Sequence, residues 1–388
     1  MIFILAVLTN SCVTEFNAEL PDRDVQVLFV DGSIVENSDV TFNITKSFRL
    51  NSIRVPNESL IVNANVHIIG GNGYKSLPAI NLGKGSYSIS VGELDDNVEY
   101  GLQIEYNGDI YQSKLVKPLH TPEIDSISWI QPEEKGDVLF RISTHDDTGE
   151  TEFFIWECIE DWEISAHYYT TIFFSAQDTN LYVVDPAPFY YCWMNSKPDK
   201  YVIGSTESLT ESRIINKQIY SCLPSGSRFT LLYSITVNQK AISKNAFEYY
   251  QNKIVLNEEM GGMFTPQPSE LNGNITCITD TSKKVMGYVE SVKNITQKKI
   301  FISPWEITRP PVYDECITYS DGVIKTLFTR ADDPAIDPYI AAYSSGYRPV
   351  SGETEDISTA IWSLNFCSSC IANGGTKIKP DFWPNDHE

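Results

Sequence analysis

The sequence predicts a mainly β fold that contains one long α-helix. Short segments in which apolar and polar residues alternate recur along the chain, and turn signals rich in glycine, asparagine and proline separate them. Aromatic residues make up 12% of the 388 residues, a composition typical of strands. A helical repeat of apolar residues is clear only at residues 243–260. For a chain of this length we expect about two or three domains.

Residues 25–118 predict an N-terminal immunoglobulin-like β-sandwich. Short strand patterns follow one another through this range without a helical repeat between them. The last two patterns flank Asn107-Gly108, a pair that strongly favours a tight hairpin. Residues 117–122 contain two prolines, and we expect them to link the sandwich to the next domain.

Residues 119–303 predict a second, larger β domain. Its clearest strand pattern, residues 228–237, places an apolar side chain at every second position from Phe229 to Val237, so that one face of the strand is buried. The strand patterns between residues 275 and 302 resemble a meander. We expect that meander to continue the same domain.

The α-helix is predicted at residues 243–260 and should pack on this second domain. Ser243 occupies the N-cap position, and Gly261-Gly262 is a stop signal. Apolar residues at helical spacing form one stripe, made of Phe247, Tyr250 and Ile254. We expect this stripe to cover the sheet face that carries the alternating residues of the 228–237 strand.

An apolar run at the N-terminus predicts a secretory signal and a lipid anchor. Residues 1–8 are mostly apolar, and small or polar residues then lead to Cys12. The run is shorter than the roughly 20 residues that a membrane-spanning helix needs. It resembles a bacterial lipoprotein signal, which ends at a cysteine that is lipidated after cleavage. We expect residues 1–12 to be the signal and the acidic residues 13–24 to be a tether; the alternative is a buried N-terminal strand with an incidental cysteine.

The chain is strongly acidic, with 29 Lys and Arg against 51 Asp and Glu and a formal net charge of −22. No basic face stands out in the sequence. This charge argues against nucleic acid or an anionic membrane surface as a binding partner. We expect the acidity to serve solubility.

The cysteines near the C-terminus predict a covalent staple. Prolines interrupt residues 304–388, so we expect an irregular tail packed on the second domain. The candidate disulfide cysteines are Cys316, Cys367 and Cys370, and at least one of the last two should be bonded. The spacing Cys367-x-x-Cys370 also suits a redox dithiol or half of a zinc site. The histidines are scattered, and we predict no metal site and no cofactor.

No arrangement of residues predicts catalysis, and we name no catalytic residue. Glu157 and Glu160 could serve as a glycosidase pair, and the acidic loops at residues 145–150 and 331–337 could bind calcium. In a chain with 51 acidic residues such groupings arise by chance, and neither loop has the spacing of an EF-hand.

Several short motifs occur in order along the chain. They are Cys192-Trp193, 233–237, 242–250, 261–268, 273–277, Gly287-Tyr288, Cys367-x-x-Cys370 with Gly374-Gly375, and 379–383. Together they resemble a family of Bacteroidota outer-membrane lipoproteins, the domain of unknown function 4249. The resemblance implies a lipid-anchored envelope protein, often encoded beside a TonB-dependent outer-membrane receptor. It implies no catalytic residues.

We therefore expect a non-catalytic protein at the outer membrane that acts as an accessory or ligand-capture partner of such a receptor. The alternatives are a structural subunit of an envelope assembly and a glycan- or peptide-cleaving enzyme. The candidate partner surface consists of aromatic and apolar side chains that we expect to be exposed: Tyr190, Tyr191, Trp193, Met263 and Phe264.

Overall fold

The structure of the protein is a computed structural model, which describes residues 27–47, 60–61, 63–185, 187–198, 200–259, 273–311, 315–329 and 336–384. Strands make up 45% of the structure and helices make up 11%, so the predicted mainly β fold is confirmed. In these ranges no helix is long and apolar enough to cross a membrane. The predicted signal, Cys12 and the tether at residues 13–24 lie outside the described residues.

The described residues form 23 strands and four α-helices. The strands are β1 (Leu28–Asp31), β2 (Ile34–Val35), β3 (Asp39–Lys46), β4 (Asn65–Gly70), β5 (Ile80–Gly83), β6 (Ser86–Ser90), β7 (Tyr100–Tyr106), β8 (Asp109–Ser113), β9 (Ile124–Ile130), β10 (Val138–His145), β11 (Phe153–Ser165), β12 (Ile172–Ser175), β13 (Asn180–Val183), β14 (Tyr191–Ser196), β15 (Tyr201–Ser205), β16 (Arg213–Cys222), β17 (Tyr233–Ala241), β18 (Ile275–Cys277), β19 (Val285–Gly287), β20 (Ser291–Val292), β21 (Thr296–Ile302), β22 (Tyr347–Glu353) and β23 (Asp356–Leu364). The helices are α1 (Lys244–Glu259), α2 (Asp321–Phe328), α3 (Pro338–Ser344) and α4 (Asn365–Ser368), and a 3-10 helix spans Pro304–Glu306.

The N-terminal sandwich consists of two sheets around one core. One sheet has the strand order β19-β1-β3-β6-β5 and the other the order β18-β8-β7-β4. Side chains from both sheets, such as Phe42, Ile44, Leu102 and Ile104, are buried in the shared core. This is the β-sandwich that the alternating strand patterns predict.

Three later strands complete this sandwich, and they correct the predicted domain boundary. β19 runs parallel to β1, β18 pairs with β8, and β20 pairs with β2. The approach of β19 is close: at Gly287, where φ is +145°, a Cβ atom would lie 2.2 Å from the carbonyl oxygen of Val30. Residues 275–292 therefore belong to the first sandwich and do not form a meander in the predicted 119–303 domain.

The second sandwich is built around the long strand β11. This strand pairs with β17 along one edge and with β15 and β14 in succession along the other. The sheet β16-β10-β9 packs against it, and Tyr233, Ile235 and Val237 are completely buried in the shared core, as their alternation predicts. The strand begins at Tyr233 and not at residue 228, because Phe229 has a left-handed φ of 58°.

Helix α1 matches the predicted helix within one residue at each end. The Oγ of Ser243 accepts a hydrogen bond from the backbone N–H of Ala246 at 3.2 Å, which stabilises the first turn. Ser243 also donates to the buried carboxylate of Glu290, so the start of the helix is tied to the chain just before β20.

The face on which α1 packs differs from the prediction. Ala246 and Tyr249 are the buried residues, next to Phe153 and Ile155 on the outer face of β11. Phe247, Tyr250 and Ile254 of the predicted stripe are half-buried, and the first two pack against this same cluster. The inner face of β17 already packs against the sheet β16-β10-β9, so the helix can bury apolar surface only on the opposite face.

The C-terminal region folds around a core of its own, and we call it the C-terminal module. α2, α3 and the β22–β23 hairpin pack with the β12–β13 hairpin around Trp362, which is completely buried. The prediction of an irregular tail at residues 304–388 is therefore wrong. The β22–β23 hairpin packs against the apolar β12–β13 hairpin at residues 172–183. No local pattern in residues 304–388 reveals this distant contact.

Candidate functional site

Two disulfide bonds tie the end of the chain to distant residues. Cys316 pairs with Cys367, and Cys370 pairs with Cys192 on β14. The predicted bonding of Cys316, Cys367 and Cys370 is confirmed, and Cys192 is a partner that the spacing does not reveal. Because Cys367 and Cys370 each bind a different remote cysteine, the redox-dithiol and zinc interpretations of this pair are wrong. Across the described ranges, no group of three or more His, Cys, Asp or Glu side chains could hold a metal ion.

The bridged segment is also fixed by backbone hydrogen bonds. The N–H of Cys370 donates to the carbonyl oxygen of Phe189 at 2.8 Å. The N–H of Tyr168 donates to the carbonyl oxygen of Cys367, also at 2.8 Å. Side chains next to these four residues are therefore held in fixed positions on one surface.

Three tyrosines beside the bridges form what we call the aromatic surface: Tyr169, Tyr190 and Tyr191. The ring centroid of Tyr190 is 5.0 Å from that of Tyr169 and 4.6 Å from that of Tyr191, edge to face in both cases. Tyr169 is 56% exposed, and the other two rings are half-buried. A cluster of tyrosines that lies partly exposed and is fixed in place is typical of a protein interface.

Trp193 does not belong to this surface, which corrects one predicted site residue. It is only 8% exposed. Its backbone N–H donates to the carbonyl oxygen of Thr376 at 2.9 Å, and the N–H of Thr376 donates back at 2.8 Å, so the chain end pairs with β14 at this point. Met263 and Phe264, the other two predicted residues of the partner surface, lie outside the described residues.

A small pocket of about 130 Å3 lies close to the aromatic surface, and we call it the aromatic pocket. Its aromatic walls are Phe173, Phe174, Phe189 and Tyr343. The remaining lining residues are Thr170, Ile172, Arg348, Pro349, Asn365, Ser368 and Ser369. Phe189 directly precedes Tyr190 in the chain, so the pocket and the aromatic surface adjoin. β12, α3, β22 and α4 all contribute to the pocket, and only the tertiary structure brings them together.

Glu157 and Glu160 do not form a catalytic pair. They are three positions apart on β11, so their side chains lie on opposite faces of the sheet. Glu157 forms an ion pair with Lys197 at 3.0 Å. Glu160 is completely buried, and its carboxylate accepts hydrogen bonds from Arg228 and from two tyrosine hydroxyls. The two glutamates therefore belong to separate ion pairs, Glu157 to one at the surface and Glu160 to one in the core.

The acidic loops use carboxylates to stabilise their own backbone. Asp146 accepts a hydrogen bond from the backbone N–H of Thr151 at 2.7 Å. Asp337 caps α3 and accepts from the N–H of Tyr339 at 2.8 Å. Residues 331–335 of the second loop lie outside the described residues.

Phe189 and Arg348, which line the pocket, were not among the sequence-based candidates. Tyr169 belongs to the Tyr168-Tyr169 doublet, in which one ring is expected to be exposed because neighbouring rings in extended chain point to opposite sides. Phe189 belongs to the aromatic run that continues to Trp193. Arg348 has no local signal, since the pocket that it lines is assembled from distant segments.

Fold and site together define a disulfide-bonded protein of two β-sandwiches with an exposed aromatic surface on the second one. Residues 13–298 match the family described as Domain of unknown function (DUF4249). The chain belongs to this family. The matched range includes the three tyrosines of the aromatic surface and ends before the C-terminal module. A comparison with curated proteins finds no match.

Proposed function

We propose that the protein is a non-catalytic, outer-membrane lipoprotein of Bacteroidota, an accessory or ligand-capture partner of a TonB-dependent receptor. The observation that carries this proposal is the aromatic surface, which two disulfide bonds hold in place. The apolar run that ends at Cys12 supports the lipid anchor. The association with a receptor rests on analogy with the family.

The disulfide bonds support a location outside the cytoplasm. Disulfides persist in oxidising compartments and are rare in the reducing cytosol. The two bonds join cysteines that are 178 and 51 positions apart in the sequence. Closing loops of that length stabilises the folded state by about 4–5 kcal/mol each on chain-entropy grounds. Such bonds suit a protein that folds where they can form.

The aromatic surface supports a role in binding another protein. Tyrosine buries a large area at a small cost in side-chain entropy, which is why it is enriched at interfaces. A lipid anchor and a tether at residues 13–24 would keep this surface close to other outer-membrane proteins. A high effective concentration of this kind lets a modest interface form a stable complex.

Crosslinking in intact membranes tests the receptor partnership. We expect the full chain to co-purify with an outer-membrane receptor after mild crosslinking and detergent extraction. The double variant Tyr169→Ala, Tyr190→Ala should lower recovery about tenfold or more, because interface tyrosines commonly contribute over ~1 kcal/mol each. The matched control is Trp305→Ala, since Trp305 is 83% exposed and lies on the separate 3-10 helix.

Each other outcome has a distinct meaning. Recovery of no outer-membrane receptor with the unaltered chain would refute the partnership, and an equal loss in the Trp305→Ala control would exclude the aromatic surface as its basis. Recovery of other envelope proteins only would favour the structural-subunit alternative. Turnover of a glycan or a peptide by the purified protein would favour the enzyme.

The lipid anchor has its own test. Replacing Cys12 by alanine should release the protein from the membrane fraction, because stable anchoring needs two or more acyl chains at about 0.8 kcal/mol per buried CH2. A variant that stays bound to membranes after a high-salt wash would show that another feature holds the protein there.

A further inference from the structure

We propose that the aromatic pocket binds an organic carboxylate that carries one ring-sized apolar group, with the carboxylate on Arg348 and the ring among the phenylalanines. This inference goes beyond the proposed partnership, because it assigns a small-molecule site that functions without a receptor. Three features of the described residues lead to it: the size of the pocket, its walls and the state of its arginine.

The size of the pocket suits one six-membered ring. Its volume is about 130 Å3. Engineered apolar cavities of about 150 Å3 bind benzene, which sets the scale. Phe189 is edge-to-face with Phe173 at 5.7 Å, and Phe174 is tilted against Tyr343 at 5.4 Å. Walls with such geometry can accept a further ring edge to face.

Arg348 is held so that one side of its guanidinium remains available. Its Nη1 donates to the carbonyl oxygens of Tyr343 at 2.8 Å and of Tyr347 at 2.7 Å, and the group lies 3.8 Å from the ring centroid of Tyr343. Nε and Nη2 make no hydrogen bond to other described residues. These two nitrogens form the edge that holds a carboxylate with two parallel hydrogen bonds.

Among the described residues, the charge of Arg348 has no carboxylate partner. In the described part of the chain no carboxylate lies within ion-pair distance of it, although acidic residues outnumber basic ones by 51 to 29. Burial lowers the pKa of Arg348, which means that its charge is partly desolvated. A ligand carboxylate would supply an anion beside this guanidinium.

The pocket is preorganised by the disulfide bonds. Ser368 and Ser369 of its wall lie between Cys367 and Cys370, which bind two different distant cysteines. A wall that is already ordered loses little entropy when a ligand binds.

A ligand with one ring and one carboxylate could come from two sources, a free aromatic acid or the C-terminal residue of a peptide. Both present the same ring and carboxylate to the pocket.

Ligand binding to the full chain, purified in detergent, tests the assignment by isothermal titration and ligand-detected NMR. The probes are N-acetylphenylalanine, its amide, N-acetylglycine and a tripeptide that ends in phenylalanine. We expect N-acetylphenylalanine to bind, and the amide and N-acetylglycine to bind about tenfold or more weakly, since each lacks one of the two recognised groups. A tripeptide that binds more tightly than the single residue identifies a peptide end as the source, and a weaker one identifies a free acid.

Two variants locate the site. Arg348→Gln removes both the charge and the two-nitrogen edge, and it should abolish the preference for the acid over the amide. Phe189→Ala removes a wall at a ring that is 36% exposed, so the fold should tolerate it, and binding should weaken about tenfold. Phe382→Ala, at a 40% exposed ring outside the pocket, is the matched control and should bind normally. No binding of N-acetylphenylalanine at millimolar concentration, equal binding of acid and amide, or equal weakening by the control would overturn the proposal.

Discussion

Replacement of Arg228 by alanine should destabilise the second sandwich by leaving a buried charge without its main partner. Glu160 is completely buried in the core of this sandwich. Its two carboxylate oxygens accept hydrogen bonds from Nε of Arg228 at 2.9 Å and from Nη2 at 3.1 Å. The hydroxyls of Tyr220 and Tyr233 each donate at 2.8 Å. The variant retains both tyrosines and loses the one cation that pairs with Glu160 among the described residues.

The structure sets the expected magnitude. Removal of one partner from a buried ion pair costs about 3–5 kcal/mol, because the remaining charge stays desolvated. The side chain of Arg228 is 30% exposed, so water can partly replace it, and we expect a loss of about 3 kcal/mol in the free energy of unfolding. The ion pair of Lys75 with Glu105 is 45% and 40% exposed, and Lys75→Ala should cost about 0–1 kcal/mol.

Urea denaturation followed by tryptophan fluorescence measures the difference, since the Trp162 ring lies 4.6 Å from the Arg228 guanidinium. The double variant Glu160→Gln, Arg228→Met removes both charges and should recover more than half of the loss. If Arg228→Ala costs no more than Lys75→Ala, or if the double variant is as unstable as the single one, the buried charge does not control the stability of this sandwich.

Three further predictions concern the helix, an exposed histidine and a buried thiol. Tyr249→Ala should lower the free energy of unfolding by about 3 kcal/mol, because it leaves a cavity beneath α1. Val255→Ala, at a 44% exposed position of the same helix, should lower it by under about 0.5 kcal/mol. Equal urea midpoints for the two variants would show that the face of α1 with Tyr249 does not pack on the sheet. A hydrogen bond to Asp125 raises the pKa of His145, so the pair stabilises the protein at a pH below the unfolded-state pKa of about 6.5. This stabilisation is lost as the pH rises through the folded-state pKa. NMR titration should find a lower His145 pKa in Asp125→Asn, and an unchanged value would contradict the pairing. Burial raises the pKa of the Cys158 thiol to about 12, so mass spectrometry should find it unalkylated in the native protein near pH 8 and alkylated after unfolding; rapid native labelling would show that β11 opens.

Local patterns predicted much of the fold because they report on single elements. The alternation that ends at Val237 identified the buried face of β17, and Ser243 marked the start of α1 within one residue. The same patterns placed residues 275–292 in the wrong sandwich, because a strand pattern does not name its partner strand. Gly287 carried a sign of that close contact, since only a residue without Cβ fits against β1 there.

Some features of the candidate site were also predicted from the sequence, and others were not. The aromatic run at Tyr190 and Tyr191 and the bonding of the C-terminal cysteines were predicted from the sequence, because side-chain size and thiol chemistry are properties of the residues themselves. The burial of Trp193 was not predicted, since it depends on a chain segment that returns from Thr376 to cover β14.

By itself, the sequence determined that this protein is a mainly β chain with one long helix, and that its C-terminal cysteines form covalent links. These conclusions follow from side-chain period and composition, which act over a few neighbouring residues. Only the tertiary structure decided which face α1 covers, which cysteine is bonded to Cys370 and that Arg348 lines one pocket together with four aromatic residues. Each of these features depends on contact between two or more segments that are distant in the sequence. A local pattern does not reveal them, because the burial of a residue depends on the segment that packs against it.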